Sequence, residues 1–537
     1  MLRFASLVVP AVLAVAAGPL FAQRPNTTSW TMALSGQPAA GAGGQAFSGF
    51  GPPLMGNNGR LVPGTLAGSP GGSVDGLWLT NSGFGSPSDL LLAAKGGAAP
   101  GVAGANFSSF DAWTPNGFAR LGGPTASFAA TTSNGLSGLW RGAPGQVGLL
   151  AVQGAAAPGM ESGSTFASFT GLRGSHYHSA FRALAGTPSG TQSGIWWGDP
   201  GALRLFARTG QVAPGTGGAR FTDLGDPGLN TSEVGQVAFR ATLDTPSPTP
   251  DSGIWWGAPG SDLLFLLHRS GDAVSGLPLF FDTFDDPKWG SGGPLSFRAT
   301  FRGPGVGPAN NVGILAGQWD APFLVARTGD VAPGTGGATF ARLGQPTQSD
   351  FGGGRAVAFL ATVAGASVNA SNDDSVWAAD PRLGGSTQTL TLLAREGAPA
   401  PGASGATFAS FETPVADFAF VGKLAGAGVD SSNDRGIWVE DPYAPGGLGL
   451  AVREGDTLAV APGDIRTIRN LLVAPTGSDT NGEPSWNVSG RYFVFAAEFA
   501  DGTSGAFQMI YTPVPEPAAG TVLLAGLPLL AQRRRRP

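Results

Sequence analysis

Between about residue 30 and residue 512 the apolar positions come in short bursts, with no helical stripe. The clearest burst alternates with a period of two, in Val237-Ala-Phe-Arg-Ala-Thr-Leu243, Leu295-Ser-Phe-Arg-Ala-Thr-Phe301 and Val357-Ala-Phe-Leu-Ala-Thr-Val363. Phe239, Ala241 and Leu243 then share one face and Arg240 takes the other, as a half-buried strand requires. Glycine or proline interrupts nearly every window of ten residues, and no 3.6-residue apolar period is sustained. The pattern predicts an all-β protein.

The bursts recur in a fixed order. A strand ending in a Gly-Pro-rich turn appears as Leu92–Gly101, Leu150–Gly159, Phe206–Gly215, Leu267–Gly276, Val325–Gly334 and Leu393–Gly402, with divergent copies at Met32–Gly41 and Val452–Gly463. The first glycines of these turns are Gly36, Gly96, Gly154, Gly210, Gly271, Gly329, Gly397 and Gly455, a period close to 60 residues. In phase with them comes an apolar pair spaced by three, such as Phe47/Phe50, Phe107/Phe110, Phe221/Leu224 and Ile468/Leu471. This spacing predicts either a bulged strand or a short turn of helix. The alternating segment follows, and then a Gly-apolar-Trp segment such as Gly138-Leu-Trp140, Gly194-Ile-Trp196 and Gly436-Ile-Trp438.

Four short strands per unit of about 60 residues describe a β-propeller blade, so eight units predict an eight-bladed β-propeller over residues 29–512. A β-helix or tandem β-sandwiches are the alternatives. The repeat opens at Ser29–Leu34, in the phase of a last strand, and closes at Gly505–Tyr511, in the phase of the Trp segment. Residues 29–34 are therefore expected to supply the missing outer strand of the eighth sheet and close the ring. Gly235-Gln-Val-Ala-Phe239 and Gly354-Arg-Ala-Val-Ala-Phe359 keep the Gly and Ala-Phe parts of a longer motif, and Asn487-Val-Ser-Gly490 its Asn-x-x-Gly half. In these the repeat resembles the choice-of-anchor tandem repeat proteins with an Asn-x-x-Gly-x-x-Ala-Phe motif. That resemblance implies a surface-anchored protein without an assigned activity.

Composition changes the picture in two ways. The 88 Gly and 44 Pro make up about a quarter of the chain, near the range where disorder becomes the reading, but 42% hydrophobic residues with 33 Phe and 13 Trp supply a core. Glycine and proline then read as turn punctuation. There is no cysteine, which excludes disulfides, thiolate metal sites and a cysteine nucleophile, and there are only three His. A net charge of -5 offers no basic face to nucleic acid.

Both ends carry sorting chemistry. Arg3, an apolar run over residues 7–17 and Ala22 before Gln23 describe a cleaved secretory signal peptide over residues 1–22. Residues 513–537 hold Pro515, Glu516 and Pro517, then an almost wholly apolar run from Ala518 to Ala531, then Arg533, Arg534, Arg535 and Arg536. A helix of that run would reach about 21 Å against about 30 Å of hydrocarbon, a marginal membrane span with its arginines held at the cytoplasmic side. The tail resembles the PEP-CTERM sorting signal of Gram-negative bacteria. The resemblance implies transient anchoring in the inner membrane by a short hydrophobic helix, recognition by an exosortase-type sorting protease, and delivery to the cell surface or an extracellular polysaccharide matrix.

Candidate chemistry is sought where the repeat is broken. His176-Tyr-His178 places two imidazoles at i and i+2, a spacing that could hold a metal, but with no acidic cluster nearby in sequence a solvated strand edge or loop is the expected reading. Asp75, Asp251, Asp373, Asp374, Asp434 and Asp501 precede the Trp segments, where carboxylates cap turns or, in the sharper reading, bind calcium. Asp285 and Asp286, beside Lys288 and Trp289, read as a hairpin loop or as a carboxylate pair for glycoside chemistry. Arg182, Arg240 and Arg298 recur in the alternating strand, and Arg208, Arg269, Arg327, Arg395 and Arg453 after the Leu-Ala strand; their regular placement predicts contacts between blades. Gly71-Gly72 and Gly352–Gly354 lack the Lys-Ser/Thr of a phosphate loop. No convergent catalytic set emerges. The sequence favours a non-enzymatic exported binding or scaffold protein associated with exopolysaccharide, with a secreted carbohydrate-active enzyme, its site at the propeller mouth, as the alternative.

Overall fold

Trp78, Trp140, Trp196, Trp255, Trp377 and Trp438 are fully buried, each on the third strand of its own sheet. In this computed structural model residues 24–513 are described apart from 25, 57–58, 70–73, 82–88, 120–122, 176–177, 231–234, 246–250, 259–262, 290–294, 319–320, 349–356, 380–389, 413–418, 442–446, 475–485 and 488–491. The signal segment, the tail with Pro515, Glu516, Pro517 and Arg533 to Arg536, and also His176, Gly71-Gly72 and Gly352–Gly354, lie outside the described residues. Among the described residues no helix is long and apolar enough to cross a membrane.

The described strands form eight antiparallel sheets, one per repeat, over residues 47–94, 107–152, 165–208, 221–269, 280–327, 339–395, 406–453 and 464–511, blades 1 to 8 of a β-propeller. Blade 4 shows the pattern. Its first strand is Phe221–Leu224, continued by Gly228–Leu229, and Val237–Leu243, Ser252–Ala258 and Leu263–Arg269 follow outward. The first strand of blade 3 and the short continuation segments of blades 4 to 6 touch one another in order around the ring, which puts first strands at the centre. The ring closes as expected: Thr27–Leu34 pairs antiparallel with Ser504–Tyr511, from Thr27 opposite Tyr511 to Leu34 opposite Gly505. Tyr511 then donates its hydroxyl to Asp441 of blade 7 at 2.6 Å.

The apolar pair spaced by three is a bulged strand. The register slips between Phe221 and Asp223, and again between Phe47 and Gly49, Phe107 and Ser109, and Phe340 and Arg342. One extra residue turns a spacing of three into two side chains on one face. Buried apolar residues gather into eight clusters, one at each blade junction; Ile195 and Trp197 of blade 3, for example, meet Phe221, Phe239 and Trp255 of blade 4. The Ala-Phe pair explains the wedge: Ala238 faces blade 5 while Phe239 faces blade 3. Each sheet thus sets a thin face against the aromatic face of the next.

The tryptophan fixes how one blade enters the next. Its ring meets the first Phe of the blade edge-on, with centroids 4.7 to 4.9 Å apart in six blades. Its indole N–H donates to the carbonyl of the connecting turn, at Ala40, Pro100, Pro158, Pro214 or Pro401, over 2.9 to 3.1 Å. The glycine after that carbonyl has positive φ, and a Cβ there would press on a leucine of the outer strand, at 2.7 Å for Gly101 against Leu149. Two residues before each tryptophan a second glycine lies under the indole. Blade 6 breaks this rule with Ser375, whose hydroxyl accepts the Trp377 N–H at 2.8 Å and donates to the Ala361 carbonyl at 2.7 Å.

A methyl group at Gly138 would stand 2.7 Å from the Trp140 ring and 3.0 Å from the Ala151 carbonyl. Gly138→Ala is expected to cost about 1–3 kcal/mol in a denaturant titration. The penalty should shrink in a Trp140→Leu background, since blade 5 carries Leu315 at this position; equal penalties in both backgrounds would refute the packing account.

Candidate functional site

The repeat-breaking charges of blades 3 to 6 assemble where the second strand of one blade meets the inner strand of the next. Arg182, Arg240 and Arg298 occupy the alternate position to the buried Phe of their strands, so each guanidinium faces the following blade. Arg182 bonds Asp226 through Nε at 2.8 Å and the Leu224 carbonyl at 3.0 Å. Arg240 bonds Asp286 at 3.1 Å and lies 3.6 Å from Asp223 of its own blade. Arg298 holds Asp285 at 2.5 Å and donates to the Leu343 carbonyl of blade 6 at 2.8 Å. Between blades 7 and 8 the same task falls to Arg435, on the third strand, which grips Glu412 and the Leu471 carbonyl.

Asp285 and Asp286 are therefore not a free pair. Gln345 donates a second bond to Asp285 at 2.8 Å, and the Asp226 amide donates to Asp286 at 3.2 Å. Gly225 lacks a side chain because any Cβ there would fall 1.9 Å from the Asp286 carboxylate. The first arginine series thus makes the contacts between blades that its placement predicts.

The second series does not. Arg327, Arg395 and Arg453 each donate Nε to a carbonyl of their own blade, at Asn310, Asn372 and Asn433, and Arg269 pairs with Asp251 of its own blade. The outer strand and the turn between the second and third strands lie side by side at that end of the sheet, so a side chain at the strand end reaches its own turn first. Asp251 is held below its ordinary pKa: burial alone would raise it, and the bonds from Arg269 and Thr245 outweigh that.

Other flagged carboxylates also serve turns. Asp75 accepts the Leu66 amide at 2.9 Å, Asp501 the Thr503 amide at 2.9 Å, and Asp374 the Thr362 hydroxyl at 3.1 Å; Asp373 and Asp434 accept amides through their main-chain carbonyls. Among the described residues no three His, Asp or Glu side chains gather as a metal site.

His178 joins a polar knot between blades 2 and 3. Its Nδ1 lies 3.1 Å from Asp199 and its ring 4.1 Å from the Trp197 ring. Arg141 reaches the other Asp199 oxygen at 3.1 Å, the Ser179 hydroxyl at 3.2 Å and the Ser175 carbonyl at 3.1 Å. Burial pulls the Arg141 guanidinium down to about 10 against the opposing pull of Asp199.

The arginine clasp that blades 3, 4, 5 and 7 make is missing after blade 6. Blade 6 carries Leu360 where blades 3 to 5 carry arginine, and between blades 6 and 7 a groove of about 270 Å³ opens, lined by Arg342, Leu343, Leu360, Thr362, Asp374 and Phe411 among others. Sequence reading passed over it, because the signal is an arginine that is not there.

Arg240→Ala should lower stability by about 1 kcal/mol, the loss shrinking at high salt, and Arg240→Lys should not restore it because an ammonium cannot serve both Asp286 and Asp223. Thermal melts at two salt concentrations check this. His268, where the other blades carry Ala or Val, packs against Phe281 and Phe297, and burial lowers its pKa from 6.5 to about 4 against the pull of Asp272. The unfolded chain then takes up this proton first as pH falls. Stability is expected to be full above about pH 6.5 and to decline toward pH 4, with a shallower decline in His268→Leu; an unchanged slope in the variant would refute it.

No curated protein matches the sequence. Among solved structures, the β-propeller domain of the Trilobed protease from Pyrococcus furiosus aligns at 8% identity and TM-score 0.37, over 76% of this chain and 99% of that one. A putative 6-phosphogluconolactonase from Bacteroides fragilis aligns at 12% and 0.31, over 73% and 94%. A Trypanosoma rangeli sialidase aligns at 8% and 0.29 over 95% of this chain, which spans 62% of the sialidase. One family model matches three times, over residues 10–176, 171–382 and 347–521, covering the whole ring, and the chain belongs to that family, the Family of unknown function (DUF7453).

Proposed function

We propose that this propeller is a non-enzymatic scaffold, exported to the cell surface or extracellular matrix, that binds exopolysaccharide. One observation carries the reading: the carboxylates nearest to a catalytic pair, Asp285 and Asp286, are each committed to an arginine that clasps two blades. Glycoside hydrolysis needs one carboxyl free to give a proton and another free to attack or activate water. Here both are already bonded to guanidinium groups, which leaves neither free for that work. The export half of the reading rests on the residue 1–22 segment and on Pro515, Glu516, Pro517 and Arg533 to Arg536, with an exosortase-type protease as the processing partner.

The test compares the full exported chain with a carrier bearing residues 513–537 alone, both expressed in an exosortase-positive, polysaccharide-producing host. The ring should add retention on the matrix beyond that of the tail, and purified ring should release no reducing sugar from the polysaccharide. Equal retention of the two proteins would remove the binding role. Hydrolysis abolished by Asp285→Ala or Asp286→Ala would establish the enzymatic alternative instead.

A further inference from the structure

The junction between blades 6 and 7 departs from its neighbours at both positions that supply a crossing cation. Leu360 stands where Arg182, Arg240 and Arg298 stand, and Asp374 stands where blade 7 has Arg435, since Trp377 and Trp438 are equivalent. Both of these residues, Leu360 and Asp374, line the groove. Its floor is apolar, with Leu343, Leu360 and the half-buried Phe411, whose ring packs edge-on against Phe420 at 5.5 Å. Its mouth carries Arg342, Thr362 and Asp374. The Thr362 hydroxyl bonds one Asp374 oxygen at 3.1 Å and so orients the carboxylate. Arg342 and Asp374 are both exposed, and no ion pair holds either of them among the described residues. Every crossing arginine of blades 3, 4, 5 and 7, by contrast, has a carboxylate partner.

We infer that this groove binds one neutral pyranose unit of a polysaccharide, with the ring's apolar face on Phe411 and Leu360 and neighbouring hydroxyls shared between Asp374 and Arg342. The inference rests on the polysaccharide-binding reading and gives it a location. A carboxylate only accepts hydrogen bonds and a guanidinium only donates them, whereas a hydroxyl does both, so a run of ring hydroxyls satisfies both groups at once. An uncharged ligand leaves the two protein charges balanced. A uronate or an amino sugar would match one of them and oppose the other. At about 270 Å³ the groove falls just below the 300–1,000 Å³ or so typical of drug-sized ligands, which suits a single ring of a longer chain whose neighbours stay in solvent.

Leu360→Arg supplies the test, because it places in the groove of blade 6 the side chain that blades 3 to 5 carry at this position. The full chain is titrated by calorimetry with methyl glucoside, methyl galactoside and methyl mannoside, and with glucuronate, glucosamine and arginine amide. At least one neutral glycoside should bind the wild type, with at least a tenfold loss in Leu360→Arg and a melting temperature no lower than wild type. Asp374→Asn, at an exposed position, should weaken binding at least fivefold and carries the comparison if Leu360→Arg is unstable. Tighter binding of glucuronate, glucosamine or arginine amide, or no loss in either variant, would overturn the proposal. Matrix retention separates the two levels: wild type and Leu360→Arg retained equally would exclude the groove and leave the scaffold reading standing, while no retention of either would remove that reading as well.

Discussion

Everything in this ring depends on where one indole can sit. The buried tryptophan of a blade is confined from below by a residue with no side chain, from the side by the edge of a phenylalanine, and from above by the carbonyl of the incoming turn. A buried indole N–H left without a partner costs free energy, so the connecting turn must come within reach of it. The turn in turn needs its glycine, because the chain passes directly over a leucine of the outer strand. Three separate features of the repeat, the Gly-apolar-Trp segment, the Pro-Gly turn and the outer-strand leucine, thus answer to a single contact.

With that contact set, the blades pack through a division of labour along the radius. Apolar clusters hold the middle of each junction, and after blades 3, 4, 5 and 7 ionic and main-chain bonds hold the part near the axis, where Arg182, Arg240, Arg298 and Arg435 reach across. Isolated surface ion pairs contribute little, but these are half-buried and anchored to backbone carbonyls. The junction of blades 6 and 7 keeps the apolar middle, with Phe408, Phe420 and Trp438 buried against Ala358 and Val376, and omits the ionic inner part. It therefore holds together while remaining open.

The sequence made the fold legible because repetition multiplies weak signals. One apolar pair spaced by three is ambiguous between bulge and helix, whereas eight in phase with an alternating strand define a blade, and the phase of Ser29–Leu34 against Gly505–Tyr511 disclosed the closure. Contacts that join residues far apart in the chain were less legible. The partner of the Trp140 indole is about forty positions upstream, and nothing local says that proline lends its carbonyl. The outer-strand arginines looked equivalent to the inner ones in spacing, and only the sheet geometry shows that Arg453 meets Asn433 before it meets another blade. Asp285 and Asp286 invited a catalytic reading because sequence shows a carboxylate pair without showing the arginines that take it up.

The closing strand imposes an order on assembly. Thr27–Leu34 is made before every blade, yet its partner Ser504–Tyr511 is made after the other seven. Until both are present the eighth sheet has an exposed edge and the ring has a gap, so seven blades can stack while the molecule remains open. Joining ends so distant carries a large chain-entropy cost and is slow relative to pairing within a blade. The leading strand therefore has no early partner to pair with, and the lock is set only once the last blade is made.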